Sequence, residues 1–205
     1  MADSINFAVI YYSSTGNVHE LATAAAQGAE KAGAEVRLRR VGELAKPEAI
    51  AAEPGWIAHR DATEHILKAH VDDLLWADAI LLGTPARYGS MAGQLKHFID
   101  EDTAVPWREG RLADKVCGAF VSGISRHAGS ESALLSLYTV FSSWGGIIVP
   151  PGFTDPIQFQ LGNPFGTSHA STIDFNEPDE VVLAAARYQA HRMATTAAAL
   201  KAGRS

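Results

Sequence analysis

The chain has 205 residues, of which 47% are hydrophobic, and a formal net charge of −6 at pH 7. This length and apolar content predict one packed domain over residues 1–205, without a linker or an internal repeat. The 17 Lys and Arg residues are scattered through an acidic chain, which argues against a nucleic-acid partner because such binding needs a basic stripe.

Apolar runs alternate with helical patterns along the whole chain. The apolar runs predict five strands, at Ile5–Tyr12, Glu35–Arg39, Ala79–Leu82, Val116–Ser122 and Ile147–Val149. The helical patterns lie at about Val18–Ala32, Met91–Asp100, Ser130–Phe141 and Asp179–Ala202. Because the strands are apolar almost throughout, we expect both faces of a parallel sheet to be buried. The repeated βα units predict a doubly wound α/β domain with helices on both faces and the flavodoxin-like strand order 2-1-3-4-5.

Two stretches are longer than the usual connections of a compact domain. Residues 41–70 separate the second and third predicted strands and contain Pro47, Pro54 and Trp56. A long loop insertion at about 150–178 is rich in Pro and Gly. Most connections in compact domains are short, so we expect these stretches to serve a function or an interface.

The segment Ser13-Ser14-Thr15-Gly16-Asn17 follows the first predicted strand and opens the first helix. The first turn of a helix offers unpaired N–H groups and a partial positive charge. The segment has neither the lysine of a nucleoside-triphosphate loop nor the glycine pattern of a dinucleotide fingerprint. A cradle of hydroxyls therefore suits a terminal phosphate monoester such as that of FMN. An ordinary helix N-cap would use the same residue types, and the sequence leaves both interpretations open.

Two further loops follow predicted strands. The loop from Gly83 to Met91 contains Pro85, Arg87 and Tyr88, which offer a tight shape, a donor and an aromatic face to a planar ring. It also suits a turn in which Ser90 caps the next helix. The polar loop Gly123–Gly129 follows the fourth strand. Because ligands of open parallel sheets bind outside the carboxyl ends of the strands, we expect all three loops to converge.

Several segments carry a family resemblance: Tyr11 to Val18, Gly83 to Met91, Ile148 to Phe153, Asn163 to Gly166 and Ala186 to Gln189. Together they are similar to the motifs of the WrbA family, flavodoxin-like NAD(P)H:quinone oxidoreductases first described as tryptophan-repressor-binding proteins. The resemblance extends over nearly the whole chain. Its most family-specific part is the loop Gly83 to Met91.

The resemblance implies FMN as the cofactor. Its phosphate would be held by Ser13, Ser14, Thr15, Gly16, Asn17 and Val18, and its ring by Ala86, Arg87 and Tyr88, with Pro85 and Gly89 shaping that loop. A third loop would contribute Ser122, Gly123, Ile124, Ser125, Arg126 and His127. Here the chain departs from the family, which usually has more Thr and Gly at the positions of Arg126 and His127.

Two tryptophans extend the resemblance. Trp107 matches a tryptophan that lines the substrate side of the flavin, often from a neighbouring subunit. Trp144 falls where many members have a histidine close to the ring. An indole could still cover the flavin, but it cannot titrate near neutral pH or relay a proton as histidine does.

The function implied by the resemblance is an enzyme whose chemistry is carried by FMN, with no catalytic side chain. The flavin would take a hydride from NADH or NADPH and pass two electrons to a quinone, in a homotetramer or a dimer. The alternatives are a flavodoxin-type FMN electron carrier and a non-enzymatic flavin-binding regulatory module. The modest charge and the long insertion argue against the carrier, which usually has a strongly acidic docking face.

Other features predict no further chemistry. His59, His65 and His70 are irregularly spaced and lack accompanying cysteines or carboxylates, so we expect no metal site. The single cysteine, Cys117, lies in an apolar run that indicates a buried structural thiol. No apolar stretch approaches the roughly 20 residues of a membrane span, and no signal peptide is recognised at the N-terminus. We therefore expect a cytoplasmic protein.

Overall fold

The computed structural model describes residues 4–204. The strands are β1 (Asn6–Tyr11), β2 (Glu35–Arg40), β3 (Ala79–Pro85), β4 (Val116–Gly123), β5 (Ile147–Ile148) and β6 (Ser168–Ala170). They form a parallel sheet in the order β2-β1-β3-β4-β5, and β6 pairs with β4 off this path. The predicted doubly wound order is confirmed, while the expected number of five strands is wrong because it omits β6.

Helices cover both faces of the sheet. The pair α1 (Asn17–Lys31) and α9 (Glu180–Arg204) packs on one face, and the pair α5 (Gly93–Asp102) and α7 (Ser130–Trp144) packs on the other. The shorter helices are α2 (Pro47–Ala51), α3 (Pro54–Ala62), α4 (Val71–Trp76), α6 (Ala104–Arg108) and α8 (Pro156–Leu161). Within residues 4–204, none of the helices combines the length and the apolar character needed to cross a bilayer.

The side chains of β1 show why the strands are apolar throughout. Phe7, Val9 and Tyr11 enter the core beneath α1 and α9, whereas Ala8 and Ile10 enter the core beneath α5 and α7. Successive side chains of a strand point to opposite faces, so a strand covered on both faces must be apolar at every position. Each large side chain buried in this way contributes about 1.5–3 kcal/mol.

The insertion at about 150–178 is partly ordered into α8 and β6. The short strand β5 pairs only with Val116 and Cys117 at the start of β4. The far end of β4 is therefore free to pair with β6, and Val121 to Gly123 lie opposite Ser168 to Ala170. This pairing brings the insertion back to the carboxyl edge of the sheet, where the predicted loops lie. A strand of three residues, Ser-His-Ala, is too short and polar to give an apolar signal in the sequence.

Candidate functional site

A cleft of about 480 Å³ opens at the carboxyl edge of the sheet. It is lined by segments from the three predicted loops and by the chain that follows β6. The lining residues that the sequence predicts are Ser13, Ser14, Thr15, Asn17, Val18, Pro85, Ala86, Arg87, Tyr88, Ser122, Gly123 and Ile124. The structure thus brings together residues that lie more than a hundred positions apart in the sequence.

One end of the cleft is formed by the segment Ser13–Val18. Gly16 has a φ of 113°, a conformation that favours glycine, and its N–H donates to Ser13 Oγ at 3.1 Å. The helix α1 then begins at Asn17 with no side-chain hydrogen bond at its cap. The Ser and Thr residues therefore do not cap α1. Its first turn remains available to an anion.

A tight turn shapes the opposite end of the cleft. Arg87 and Ser90 exchange backbone hydrogen bonds of 2.9 and 3.0 Å around Tyr88 and Gly89, whose φ values are 52° and 77°. A positive φ at a residue such as Tyr88 costs about 1–3 kcal/mol, and such strain concentrates at ligand-binding sites. The turn leaves the Tyr88 side chain fully exposed beside the cleft.

Arg87 connects the two ends of the cleft. Its Nη2 lies 3.5 Å from Ser14 Oγ, so the guanidinium extends from the loop Gly83–Met91 to the segment Ser13–Val18. The segment Ser13–Val18 contains no cation of its own. The Arg87 guanidinium places a positive charge beside the hydroxyls of this segment.

The second and third loops touch through their backbones. Ala86 N–H donates to Ser122 O at 2.8 Å. A Cβ added at Gly129, whose φ is +81°, would lie 2.6 Å from Gly89 Cα. Only a glycine allows this approach, because any side chain at residue 129 would push the two loops apart.

The third loop divides between two clefts. Gly123 and Ile124 line the 480 Å³ cleft, whereas Ser125, Arg126 and His127 line a larger neighbouring cleft of about 970 Å³ between this loop, β6 and the start of α9. Ile124 lines both clefts. A contact of Ser125, Arg126 and His127 with the cofactor stays a prediction.

The two predicted tryptophans lie away from this cleft. The helix α7 starts at Ser130 beside the third loop and ends at Trp144, so its 15 residues extend about 22 Å along its axis. Trp144 is buried against Phe141, with ring centroids 5.8 Å apart. Trp107 is half exposed, and its Nε1–H donates to Ser143 O at 2.7 Å. The fold therefore places both indoles near the opposite edge of the sheet.

Two histidines lie behind the loop Ser13–Val18. Tyr11 Oη and His19 Nδ1 are 2.7 Å apart, and the rings of His19 and His59 are 5.5 Å apart. A Cβ added at Gly16 would lie 3.8 Å from His59 Nδ1. Burial, together with the nearby His19 and Arg40, lowers the pKa of His59 to about 4. His59 is therefore neutral at pH 7.

The sequence does not identify three residues of the cleft: Ala128, Ser171 and Phe175. Ser171 N–H donates to Gly123 O at 2.8 Å, which continues the pairing of β6 with β4 beyond the strand. Ala128 lies in the predicted third loop, whereas for Ser171 and Phe175 the only signal in the sequence is the unusual length of the insertion, which indicates a role but no particular residue.

Comparison with known proteins places this geometry in a family. The family model described as "NADPH-dependent FMN reductase" matches residues 6–159. A Paracoccus denitrificans protein named "NAD(P)H dehydrogenase (quinone)" is 40% identical over 204 residues, covering 96% of this chain and 95% of the relative. A protein of the same name from Deinococcus radiodurans is 37% identical over 169 residues, covering 82% of this chain and 84% of the relative.

Solved structures agree with the fold. A structure described as "the flavodoxin, WrbA-like protein from Agrobacterium tumefaciens" aligns with a TM-score of 0.65 and 26% identity, covering 95% of this chain and 98% of the other. An archaeal flavodoxin aligns with a TM-score of 0.58 at 18% identity and supports the fold alone. The predicted WrbA-type resemblance is confirmed, and the chain belongs to the NADPH-dependent FMN reductase family.

Proposed function

We propose that this chain is an FMN-dependent oxidoreductase that takes a hydride from NADH or NADPH and delivers two electrons to a quinone. One observation carries the proposal: three loops join in a single cleft with an anion-binding helix start at one end and a strained, exposed aromatic turn at the other. The relatives named NAD(P)H dehydrogenase (quinone) at 37–40% identity support the same reaction.

The cleft fits FMN at both ends. The segment Ser13–Val18 offers hydroxyls, a Gly16 conformation without a side chain and the uncapped start of α1 to the phosphate. Pro85 to Tyr88 and Ser122 to Ile124 would lie along the isoalloxazine ring. When bound, FMN supplies the capacity to accept a hydride and to release two electrons, which no side chain of the cleft provides.

The residues of the chain bind and orient the reactants. Arg87 would compensate the phosphate charge, and its turn would hold the edge of the ring beside the fully exposed Tyr88. Tyr88 and Phe175 offer aromatic faces at the mouth of the cleft, where a nicotinamide and then a quinone can stack. Their rings would exclude water from the reacting face.

We also propose that the site is completed in a homotetramer or a dimer. Trp107 is half exposed but lies near the far edge of its own sheet, so it can line a flavin only if that flavin belongs to another copy. Phe153 and Phe159 stack on the insertion with centroids 5.1 Å apart, and Phe165 is also exposed. Exposed aromatic residues of this kind mark interfaces. Light scattering should show a dimer or tetramer, and a monomer at micromolar concentration would exclude the role of Trp107 across subunits.

Three finer expectations stay predictions: a contact of Trp144 with the flavin, a cytoplasmic location and the absence of a nucleic-acid partner. Trp144 is covered by its own chain, so a contact with FMN would require another copy to approach the end of α7. Flavin fluorescence of a Trp144→Phe variant in the assembled protein would test that contact.

The deciding experiment is anaerobic mixing of FMN-loaded protein with NADH and, separately, with NADPH. We expect the visible flavin band to bleach with at least one nucleotide and to recover fully when benzoquinone is added. The two half-reactions would identify the preferred donor. If neither nucleotide bleaches tightly bound FMN, the reductase proposal is wrong and an electron carrier or a flavin-binding regulatory protein becomes the better explanation.

A further inference from the structure

A single carboxylate lies at the junction of three chain segments next to the cleft. Glu43 follows β2, and its side chain is only partly exposed. Its carboxylate accepts five hydrogen bonds: from Tyr12 Oη–H at 2.8 Å, Trp56 Nε1–H at 3.0 Å, Gln94 Nε2–H at 2.8 Å, and the backbone N–H groups of Leu44 and Ala45, both at 2.8 Å. Five hydrogen bonds from the protein to one carboxylate are more than a glutamate at the surface needs.

The three side-chain donors come from segments that flank the two ends of the cleft. Tyr12 directly precedes the segment Ser13–Val18. Gln94 lies in the first turn of α5, just after the turn Arg87–Ser90. Trp56 belongs to α3 in the long connection formed by residues 41–70. Gln94 Nε2–H also donates to Tyr12 Oη at 3.0 Å, so Tyr12, Glu43 and Gln94 form a closed triangle.

The chemistry of this junction requires a carboxylate. An ionised glutamate only accepts hydrogen bonds, whereas a glutamine amide presents one acceptor and one donor group. Burial raises the pKa of Glu43, but hydrogen bonds from the Ala45 backbone, Gln94, Tyr12 and the Leu44 backbone outweigh it, so the pKa lies below its ordinary value. Glu43 is thus held ionised at neutral pH, with each oxygen facing at least two donors.

We propose that Glu43 is a positioning residue. It holds the phosphate loop (Ser13–Val18) and the ring loop (Gly83–Met91) at the separation that FMN requires. The inference rests on the proposed function, because it concerns the binding of that cofactor. FMN carries its phosphate and its ring on one ribityl chain, so both ends gain full binding energy only when the two loops are correctly spaced. Binding of the second end is then intramolecular and strengthened by its effective concentration.

This role differs measurably from plain structural support. Riboflavin lacks the phosphate and depends on the ring loop alone, so a change in loop spacing leaves its affinity nearly unchanged. FMN depends on both loops together and loses affinity when the spacing varies. A variant that merely loosens the whole fold would instead weaken both ligands by similar factors.

The test compares Glu43→Gln with Glu53→Gln as a matched control. Glu53 is an exposed residue of the same connection, residues 41–70, at the cap of α3, and its side chain makes no capping hydrogen bond. Dissociation constants of the apoproteins for FMN and riboflavin are measured by quenching of flavin fluorescence, with circular dichroism confirming the fold. We expect Glu43→Gln to raise the FMN constant about tenfold and the riboflavin constant by less than about twofold. The control should change neither.

Gln94→Ala provides a second variant that keeps the carboxylate. It removes the link to α5 and leaves Glu43 with its other donors, so we expect the FMN constant to rise about threefold with riboflavin again unchanged. If Glu43→Gln fails to fold, Gln94→Ala decides the inference. Equal losses for FMN and riboflavin, or an FMN constant within about twofold of the parent in the folded variants, would overturn it. If the parent chain itself fails to bind FMN, the proposed function is wrong, which this design separates from a failure at Glu43.

Discussion

The two ends of the cleft are built in different ways. The phosphate end is one continuous segment, Ser13–Val18, whose shape follows from its own backbone and from the start of α1. The ring end is assembled from the second loop, the third loop and the chain after β6. A local site of the first kind depends on a few adjacent residues, whereas the second kind depends on how distant segments pack. The difference predicts which substitutions affect only the phosphate and which affect the whole flavin.

The largest expected effect lies at the phosphate end. Replacing Ser13 and Thr15 with Ala should weaken FMN binding by about 1–3 kcal/mol for each hydroxyl, because each removes a charge-assisted hydrogen bond to a buried phosphate. Riboflavin binding should remain nearly unchanged. Fluorescence titration of the double variant measures both constants. An unchanged FMN affinity would place the phosphate somewhere else in the molecule.

The ring end should respond to a substitution at the contact between its loops. Gly129→Ala introduces a Cβ 2.6 Å from Gly89 Cα and strains a residue with a φ of +81°, at a cost of about 1–3 kcal/mol. The displaced loops should weaken FMN and riboflavin by similar factors. Gly33→Ala is the matched control, since Gly33 also has a positive φ but no atom within 4 Å of an added Cβ. A selective loss of FMN in Gly129→Ala would show that this contact serves the phosphate end instead.

The same difference explains how far the sequence predicts the molecule. Local signals suffice for β1 to β5, for the main helices and for the loop Ser13–Val18, because apolar periodicity and hydroxyl-glycine chemistry are properties of adjacent residues. The strand β6 leaves no such signal, since the three residues Ser168 to Ala170 become a strand only through the free edge of β4. Ser171 and Phe175 are missed for the same reason, as their place in the cleft depends on that pairing.

Trp107 gives a smaller effect that separates substrate binding from cofactor binding. Its indole is half exposed and its Nε1–H donates to Ser143 O, so it contributes little to its own cleft. Trp107→Ala should raise the quinone KM by the loss of an aromatic contact worth about 0.5–1.5 kcal/mol, with FMN affinity unchanged. Steady-state kinetics and an FMN titration on one preparation test this. Lost FMN affinity with normal quinone kinetics would make Trp107 a flavin-site or packing residue.

An effect of similar size concerns the support behind the phosphate end. The pKa of His59 is about 4 in the folded chain and near 6.5 in the ordinary, unfolded state. Between these values the unfolded state binds a proton that the folded state does not, so stability rises with pH from about 4 to 6.5 and is lost as the pH falls through that window. Because His59 is only partly buried, we expect a contribution of about 1 kcal/mol.

Urea unfolding of the apoprotein at pH 5 and pH 7 measures this contribution. The variant His59→Gln should unfold with a smaller difference between the two pH values than the parent. The negatively charged phosphate of FMN, bound beside Gly16, would favour protonated His59 and raise its pKa. FMN should therefore reduce the difference between the two pH values in the parent but not in His59→Gln. If FMN changes the difference between the two pH values equally in both proteins, the bound phosphate does not affect the pKa of His59. The phosphate end would then depend on its own segment and Arg87 alone.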